Sequence, residues 1–241
     1  MRIHLVDGTY ELFRHFYAVP AQSDRDGREI GAARGVLCAA CDADLPRLAG
    51  PACPRCALPS QDGALCGRCL ARPPAYDATV AALAYAFPAD VLVQGLKFRG
   101  ELALAPLLGQ ALAERLPRGA RVDFILPVPL SAARLRERGF NQALEIARSL
   151  AAATGCRLAP QLAERSRETP PQVDLPLDER ARNVRGAFRC AQALERAEIA
   201  VVDDVMTTGA TLDELAATLK RAGAARVVNW VVARTPPPAD A

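Results

Sequence analysis

The sequence has few of the residues on which several common functions depend. Aromatic residues make up 5% of the 241 positions, with a single Trp, so few side chains can stack on nucleic-acid bases. The two histidines, His4 and His15, show no metal-ligand spacing, and no residue stands out as a general base. No apolar run is long enough to span a bilayer, and the N-terminus lacks the layout of a signal peptide. We therefore expect a cytoplasmic protein without membrane insertion.

Charge is nearly balanced, so the net charge does not indicate a class of binding partner. Thirty basic and 27 acidic residues give a net charge of +3, which by itself favours neither a nucleic acid nor a membrane surface. A composition of 51% hydrophobic and 24% charged residues is that of a globular protein. The length suits one large α/β domain with a small appendage, and the oligomeric state is left open.

The richest motif lies between residues 199 and 212. An apolar run ends in Asp203 and Asp204, a small-residue loop follows at once, and a helical pattern then begins. Such a turn offers backbone N–H groups to a phosphate, and paired carboxylates accept hydrogen bonds from vicinal ribose hydroxyls. The pattern predicts a sugar-phosphate site, although an ordinary strand-to-helix turn with capping threonines is the alternative. The predicted contact residues are Asp203, Asp204, Val205, Met206, Thr207, Thr208, Gly209, Ala210 and Thr211.

This stretch resembles the phosphoribosyl pyrophosphate (PRPP) motif of type I phosphoribosyltransferases. The resemblance implies that residues 207–211 hold the 5′-phosphate, while Asp203 and Asp204 bind the ribose hydroxyls and are the candidate catalytic groups. Mg²⁺ is expected together with the pyrophosphate-bearing ligand.

Strand and helix patterns alternate through the second half of the chain. This order predicts an α/β fold with a parallel sheet, whose ligands lie at the carboxyl ends of the strands. Residues 165–187 are polar and Arg-rich and are predicted to form a long mobile loop. Residues 75–117 carry helical patterning, most clearly from Asp90 to Leu116. The other predicted helices are 142–153 and 213–222, and the predicted strands are 122–126, 199–202 and 226–232.

Six of the eight cysteines form three Cys-x-x-Cys pairs within residues 38–69. Two such pairs make a tetrahedral four-thiolate zinc site, and free or redox-active thiols are the alternative. Six thiolates exceed one site and fall short of two. We favour a structural zinc ion held by Cys53, Cys56, Cys66 and Cys69, with the part played by Cys38 and Cys41 left open.

Further ordered motifs are spread along residues 38–235. They are Cys53-Pro-Arg-Cys-Ala-Leu-Pro, Cys66-Gly-Arg-Cys-Leu, Gly95-Leu-Lys-Phe-Arg-Gly, Pro127-Val-Pro-Leu, Arg136-Glu-Arg-Gly-Phe-Asn-Gln and Arg182-Asn-Val-Arg-Gly-Ala-Phe. With the Val201–Leu212 stretch, they resemble the ComF family of competence-associated, phosphoribosyltransferase-like proteins. The resemblance implies a type I phosphoribosyltransferase fold behind an N-terminal zinc module. It also implies a link to the uptake of external DNA, with single-stranded DNA and other competence proteins as partners.

Basic residues outside the PRPP motif are candidates for binding the pyrophosphate or for closing over the ligand. Arginine suits both roles through its permanent charge and bidentate geometry. A solvated basic helix face, or a surface lysine, is the alternative for any one of them. The candidates are Lys97, Arg134, Arg136, Arg138, Arg182, Asn183 and Arg185.

Residues 1–37 depart from the family pattern and resemble the opening of a 5′-nuclease domain of the DNA polymerase I type. Asp7 alone matches a metal-binding carboxylate of such a domain, so we interpret the segment as a fusion remnant or gene-boundary accident. The predicted organisation is this segment, a Cys-rich zinc module at 38–74, a phosphoribosyltransferase-like domain at 75–235 and a disordered tail at 236–241. Transfer of phosphoribosyl to an unidentified acceptor is the first functional hypothesis, and non-catalytic binding of single-stranded DNA or sensing of PRPP is the alternative.

Overall fold

The computed structural model describes residues 44–166, 184–190 and 192–236. The chain divides into two compact units, residues 1–45 and 46–241, and the description below concerns the second unit. The predicted nuclease-like segment and the predicted tail lie almost wholly outside the described residues, so their folding stays a prediction. The same holds for Cys38, Cys41, Arg182 and Asn183.

A five-stranded parallel sheet organises this unit, in the spatial order β1-β7-β6-β2-β3. A separate antiparallel pair joins β4 to β5. The strands are β1 (Ala78–Ala84), β2 (Phe124–Pro127), β3 (Arg157–Leu158), β4 (Ala163–Arg165), β5 (Phe188–Cys190), β6 (Glu198–Met206) and β7 (Arg226–Arg234). The helices are α1 (Gly67–Ala71), α2 (Ala89–Arg99), α3 (Leu104–Arg115), α4 (Ala132–Arg138), α5 (Gln142–Thr154) and α6 (Ala210–Arg221).

Both faces of the sheet are covered, as near-continuous apolar strands require. Successive side chains of a strand point to opposite faces. Ile199 and Val201 of β6 therefore share one core with Leu212 and Leu215 of α6. Ala200 points to the opposite face, where α5 packs on β6 and α3 packs on β1 and β7. The prediction of an α/β fold with a parallel sheet is confirmed.

The helical stretch predicted between Asp90 and Leu116 is two helices. Gly100 ends α2 in the left-handed conformation at φ 68°, and α3 begins at Leu104. Pro106 falls in the first turn of α3, where the missing N–H has no intrahelical partner to lose. Helix α3 also crosses α5 closely, because a Cβ on Gly109 would lie 2.6 Å from Cβ of Ser149.

Residues 78–84, which the sequence analysis placed within helical patterning, form the edge strand β1. Their Ala-rich composition favours a helix, but parallel pairing with β7 along its length overrides that propensity. Strand β6 is longer than predicted and includes Asp203 through Met206. Helix α6 begins three residues earlier than predicted, so Ala210 and Thr211 lie in its first turn.

The described part of the Cys-rich segment packs directly on the sheet. Cys53, Cys56 and Cys69 are buried in the same core as Tyr76 and α6. An edge contact also ties this segment to β1, because the N–H of Thr79 donates to the carbonyl of Pro54 at 3.0 Å. This packing decides which loops of the sheet the cysteines lie beside.

Candidate functional site

The two aspartates lie at the carboxyl end of β6, in the middle of the sheet. Asp204 is 2% exposed, and one of its carboxylate oxygens, Oδ2, lies 3.0 Å from Nζ of Lys97 on α2. Asp203 is half-buried, and its Oδ1 accepts a hydrogen bond from the N–H of Asp204 at 2.9 Å. The two carboxyl groups are close enough to hydrogen-bond to each other, and both interact electrostatically with Lys97.

The two carboxyl groups differ in acidity. Burial and the charge of Asp204 raise the pKa of Asp203 well above its ordinary value. Burial opposes ionisation of Asp204 as well, but the ammonium of Lys97 and hydrogen bonds from its neighbours hold its pKa below the ordinary value. The charge of Asp204 in turn raises the pKa of Lys97. The ligand-free site therefore contains one firmly ionised carboxylate and one neighbour poised to accept a proton.

The loop after β6 has the geometry of an anion-binding turn. Gly209 is buried in the left-handed conformation at φ 86°, where a side chain would be strained. Helix α6 begins immediately afterwards, so the N–H groups of its first turn lie at this turn. Thr207, Thr208 and Thr211 are half-buried, and Oγ1 of Thr208 accepts from the N–H of Ala210 at 3.3 Å.

Arginines from separate elements converge on the aspartates. Arg138 of α4 is electrostatically coupled to Asp204, and burial lowers its pKa. Arg165, at the end of β4, is coupled to both Asp203 and Arg134, and its pKa is also lowered, chiefly by burial. Burying guanidinium groups near one another is unfavourable unless negative charge offsets it, so an anionic ligand would stabilise this cluster.

The predicted basic residues differ in how close they lie to the aspartates. It brings Lys97, Arg134 and Arg138 together around the aspartates, whereas Arg136 is exposed on α4. Arg185 is exposed and lies within the last residues of the predicted mobile loop, of which residues 167–183 are outside the described residues. Sequence analysis did not single out Arg165, because its position depends on pairing between β4 and β5. Its guanidinium also lies over the ring of Phe188 at 5.5 Å.

One exposed aromatic ring borders the site. Phe98 is 66% exposed, and its ring lies 5.8 Å from Nζ of Lys97 and 5.7 Å from Cζ of Arg138. Such spacing allows cation–π contact, and the ring edge remains available to a planar ligand.

The second constellation is the cluster Cys53, Cys56, Cys66 and Cys69. Their sulfur atoms all lie within 4.8 Å of one another, and Sγ of Cys56 is 3.6 Å from Sγ of Cys66. A tetrahedral zinc site with Zn–S bonds of about 2.3 Å separates its sulfurs by roughly 3.8 Å. The geometry therefore fits the four ligands predicted from the sequence.

Local backbone geometry builds this cluster. The N–H of Ala57 donates to the carbonyl of Cys53 at 2.9 Å, and Ala57 takes a positive φ of 57° to close the turn. Burial and the neighbouring thiols raise the pKa of Cys69, whereas backbone hydrogen bonds overcome burial and lower the pKa of Cys53 to about 6. Four crowded sulfurs of this kind need a cation to ionise together, and the donor set is that of a structural zinc site.

None of the helices in the described ranges has the length and apolarity needed to cross a bilayer. The fold and its two constellations define a class: an α/β protein with a parallel five-stranded sheet flanked by helices, carrying an N-terminal Cys-rich zinc-binding module. A protein-family model described as a double zinc ribbon domain matches residues 27–70, a range that begins ahead of the predicted module boundary at residue 38.

Curated relatives extend over most of the chain. The DNA utilization protein YhgH of Salmonella typhimurium is 40% identical over 190 residues, covering 76% of this chain and 84% of the relative. Its counterpart in Escherichia coli K12 is 38% identical with the same coverage. Competence protein F of Haemophilus influenzae is 31% identical over 212 residues, covering 84% of this chain and 92% of the relative. The chain belongs to the ComF family.

A solved structure titled as the allosteric regulatory enzyme of purine biosynthesis also matches. It is 22% identical with a TM-score of 0.38, and the match covers 53% of this chain and 25% of that chain.

Proposed function

We propose that this protein binds PRPP or a closely related sugar phosphate at the end of β6, as part of the handling of DNA taken up by the cell. The observation that carries the ligand assignment is the buried Lys97–Asp204 pair beside Asp203, directly before the Gly209 turn. A solvated acidic turn would not bury a carboxylate with a lysine partner from another helix, so this arrangement supports a built site over the ordinary-turn alternative.

Three groups of residues would each bind one part of the ligand. The turn from Thr207 to Thr211 would receive the 5′-phosphate through backbone N–H groups and hydroxyls. Asp203 and Asp204 would accept hydrogen bonds from the ribose hydroxyls. The guanidinium cluster of Arg134, Arg138 and Arg165 would face the pyrophosphate, with Mg²⁺ entering together with that ligand.

This assignment of ligand parts to residues supports transfer of the phosphoribosyl group as the reaction. The bond between the anomeric carbon and pyrophosphate would break as an acceptor attacks, and the arginines would stabilise the departing charge. When ionised, Asp203 would be the stronger base of the two carboxylates because its pKa is raised, and it would take the proton released by the acceptor. Arg182, Asn183 and Arg185 remain proposed contacts of a segment closing over the ligand, which would exclude water.

Calorimetric titration with PRPP and Mg²⁺, followed by a pyrophosphate-release assay on the same sample, tests this proposal. We expect binding that Asp203→Asn abolishes. A matched control is Glu198→Gln, at the other end of the same strand, which should bind as the wild type does. Absence of binding by the wild-type protein would refute the ligand assignment. Binding without release, in the presence of candidate acceptors, would favour a PRPP sensor over a transferase.

The names of the relatives support the link to DNA. Curated members matching most of this chain are called a DNA utilization protein and a competence protein. We extend that role to this chain, with imported single-stranded DNA and other competence proteins as partners.

A second candidate function, non-catalytic binding of single-stranded DNA, is favoured by Phe98. Its exposed ring sits between Lys97 and Arg138, an arrangement that can stack a base beside phosphate-binding cations. Fluorescence anisotropy with a labelled oligonucleotide across a salt series tests this candidate. Phe98→Ala should weaken binding, whereas Phe87→Ala, which removes an exposed ring elsewhere, should not. Equal binding by both variants would exclude stacking on Phe98.

A further inference from the structure

Arg234, at the end of β7, lies between the four-cysteine cluster and the phosphate loop, which is the turn from Thr207 to Thr211 proposed to bind the 5′-phosphate. It is 2% exposed, and its Nε donates to the carbonyl of Cys56 at 2.8 Å. Its Nη1 donates to the carbonyl of Met206 at 2.8 Å and also to the carbonyl of Thr207. One guanidinium therefore binds both a turn of the four-cysteine cluster and the two peptide groups that join Met206 to Thr207 and Thr207 to Thr208.

These contacts set the direction of the loop's amide groups. In a trans peptide, the C=O of one residue and the N–H of the next point in opposite directions. Holding the carbonyls of Met206 and Thr207 toward Arg234 turns the N–H groups of Thr207 and Thr208 away from it. The rigid, planar fork of arginine suits this task, because a lysine ammonium lacks its fixed donor geometry.

Two further contacts join the same regions. The N–H of Ala75 donates to Oδ1 of Asp213 in the first turn of α6 at 2.6 Å. The hydroxyl of Tyr76, which packs in the core with the cysteines, lies 3.1 Å from the position that a Cβ on Gly209 would take. Ala75 and Tyr76, which directly follow the Cys-rich module, therefore contact the Gly209 turn and the first turn of α6.

Electrostatics strengthens the bridge. Four thiolates around a Zn²⁺ ion carry a net charge of −2, and Arg234 is electrostatically coupled to Cys56. Its described hydrogen bonds all end on carbonyl oxygens. The metal-loaded cluster thus supplies the negative charge that helps to keep this buried guanidinium in place.

We propose that Arg234 is a positioning residue that couples the folded state of the four-cysteine cluster to the conformation of the phosphate loop. An intact cluster holds the guanidinium, and the guanidinium holds the loop amides in their anion-binding orientation. The coupling itself follows from contacts within the chain; its consequence for ligand affinity rests on the proposed function.

Amide hydrogen exchange of the full-length, ligand-free protein tests the coupling. We expect zinc removal by a chelator to speed exchange of peptides covering residues 205–212 by roughly tenfold or more, because a charged hydrogen-bond donor no longer holds them. Peptides covering α5 serve as the internal reference for global unfolding. Arg234→Lys should speed loop exchange in the zinc-loaded protein and should shrink the additional effect of chelation. Arg226→Lys, at the exposed end of β7, is the matched control.

The outcomes are distinct. Equal effects of chelation in the wild type and in Arg234→Lys, or unchanged loop exchange in Arg234→Lys, would overturn the proposal. Should Arg234→Lys fail to fold, Cys66→Ser takes its place, with faster exchange in residues 205–212 than in α5 as the supporting result and uniform exchange as the opposing one.

Ligand titration separates this proposal from the proposed function. Arg234→Lys should weaken binding of ribose 5-phosphate roughly tenfold while leaving pyrophosphate, which faces the arginine cluster, unchanged. Failure of the wild type to bind either ligand would count against the proposed function but would leave the exchange test of the coupling intact.

Discussion

Asparagine substitutions at the two adjacent aspartates should change stability in opposite directions. Asp204→Asn should lower the thermal midpoint of the ligand-free protein, and Asp203→Asn should raise it. Both variants should lose PRPP binding. The reason is that the fold favours the ionised form of Asp204 and the neutral form of Asp203.

The loss at Asp204 can be estimated from its ion pair. At the 3.0 Å separation of Nζ and Oδ2, and with an effective dielectric constant of about 20, the attraction is roughly 5 kcal/mol. The side chain of Lys97 is 28% exposed and regains part of its hydration when unpaired. We therefore expect a loss of about 3 kcal/mol, the lower end for a broken buried pair. In a chain of this size, that lowers the midpoint by roughly 6–12 °C.

The gain at Asp203 comes from removing an unfavourable buried charge. Asparagine keeps the Oδ1 acceptor for the N–H of Asp204 while mimicking the uncharged carboxyl. Substitutions that relieve a functional site typically stabilise by about 0.5–2 kcal/mol. The corresponding rise in the midpoint is roughly 1–8 °C. The single variant Asp203→Asn would thus show both a higher thermal midpoint and a loss of PRPP binding.

Circular dichroism melts at several pH values provide the assay. The pKa of Asp203 is raised by folding, so its ionisation costs stability as pH rises above the unfolded value of about 3.9. The gain from Asp203→Asn should therefore grow as pH rises above about 3.9 and level off once pH passes the folded-state pKa of Asp203. Asp204 has a lowered pKa and contributes fully throughout that window, losing its contribution only below about pH 3.9, so the loss in Asp204→Asn should stay constant.

A fall in the midpoint of Asp203→Asn at neutral pH would refute this reasoning, because it would mean that the ligand-free fold stabilises the charge of Asp203. Glu198→Gln is the control for removing a carboxylate from the same strand. Its ion pair with Arg226 is about half exposed, so the change should stay within about 1 kcal/mol.

Three further predictions address the remaining parts of the molecule. Cys66→Ser should release zinc and lower stability, and full metal retention measured by mass spectrometry would contradict the proposed ligand set. Gly209→Ala should destabilise by about 1–2 kcal/mol or more in thermal melts, because φ is 86° and the new Cβ would lie 2.6 Å from Cε of Met206. Arg165→Ala should weaken pyrophosphate binding in calorimetry, while Arg136→Ala, at an exposed position, should leave it nearly unchanged.

Short-range patterns in the sequence predicted much of the fold. The apolar run before Asp203, the Gly209 turn and the following helical period predicted a strand, a loop and a helix in the right order. The spacing of the Cys-x-x-Cys pairs likewise identified four thiols that the structure brings within 4.8 Å of one another. These signals succeed because each depends on residues a few positions apart, where chain geometry alone decides which side chains are neighbours.

Strand β1 and the exact ends of the β6–α6 unit needed tertiary structure. The Ala-rich residues of β1 favour a helix locally, and only pairing with β7 makes them a strand. Strand β6 likewise extends through Met206 because β7 continues to pair with it there. Propensity decides such boundaries only where no neighbouring strand supplies hydrogen bonds.

The sequence by itself determined which chemical groups the site contains: two carboxylates, a glycine turn with hydroxyls, and four thiols at ligand spacing. The tertiary structure decided what those groups contact. Lys97 reaches Asp204 from another helix, Arg165 arrives through a strand pair, and Arg234 joins the thiol cluster to the loop. Such contacts are set by strand order and helix packing, which place residues far apart in the chain within a few ångströms and leave no local pattern from which to predict them.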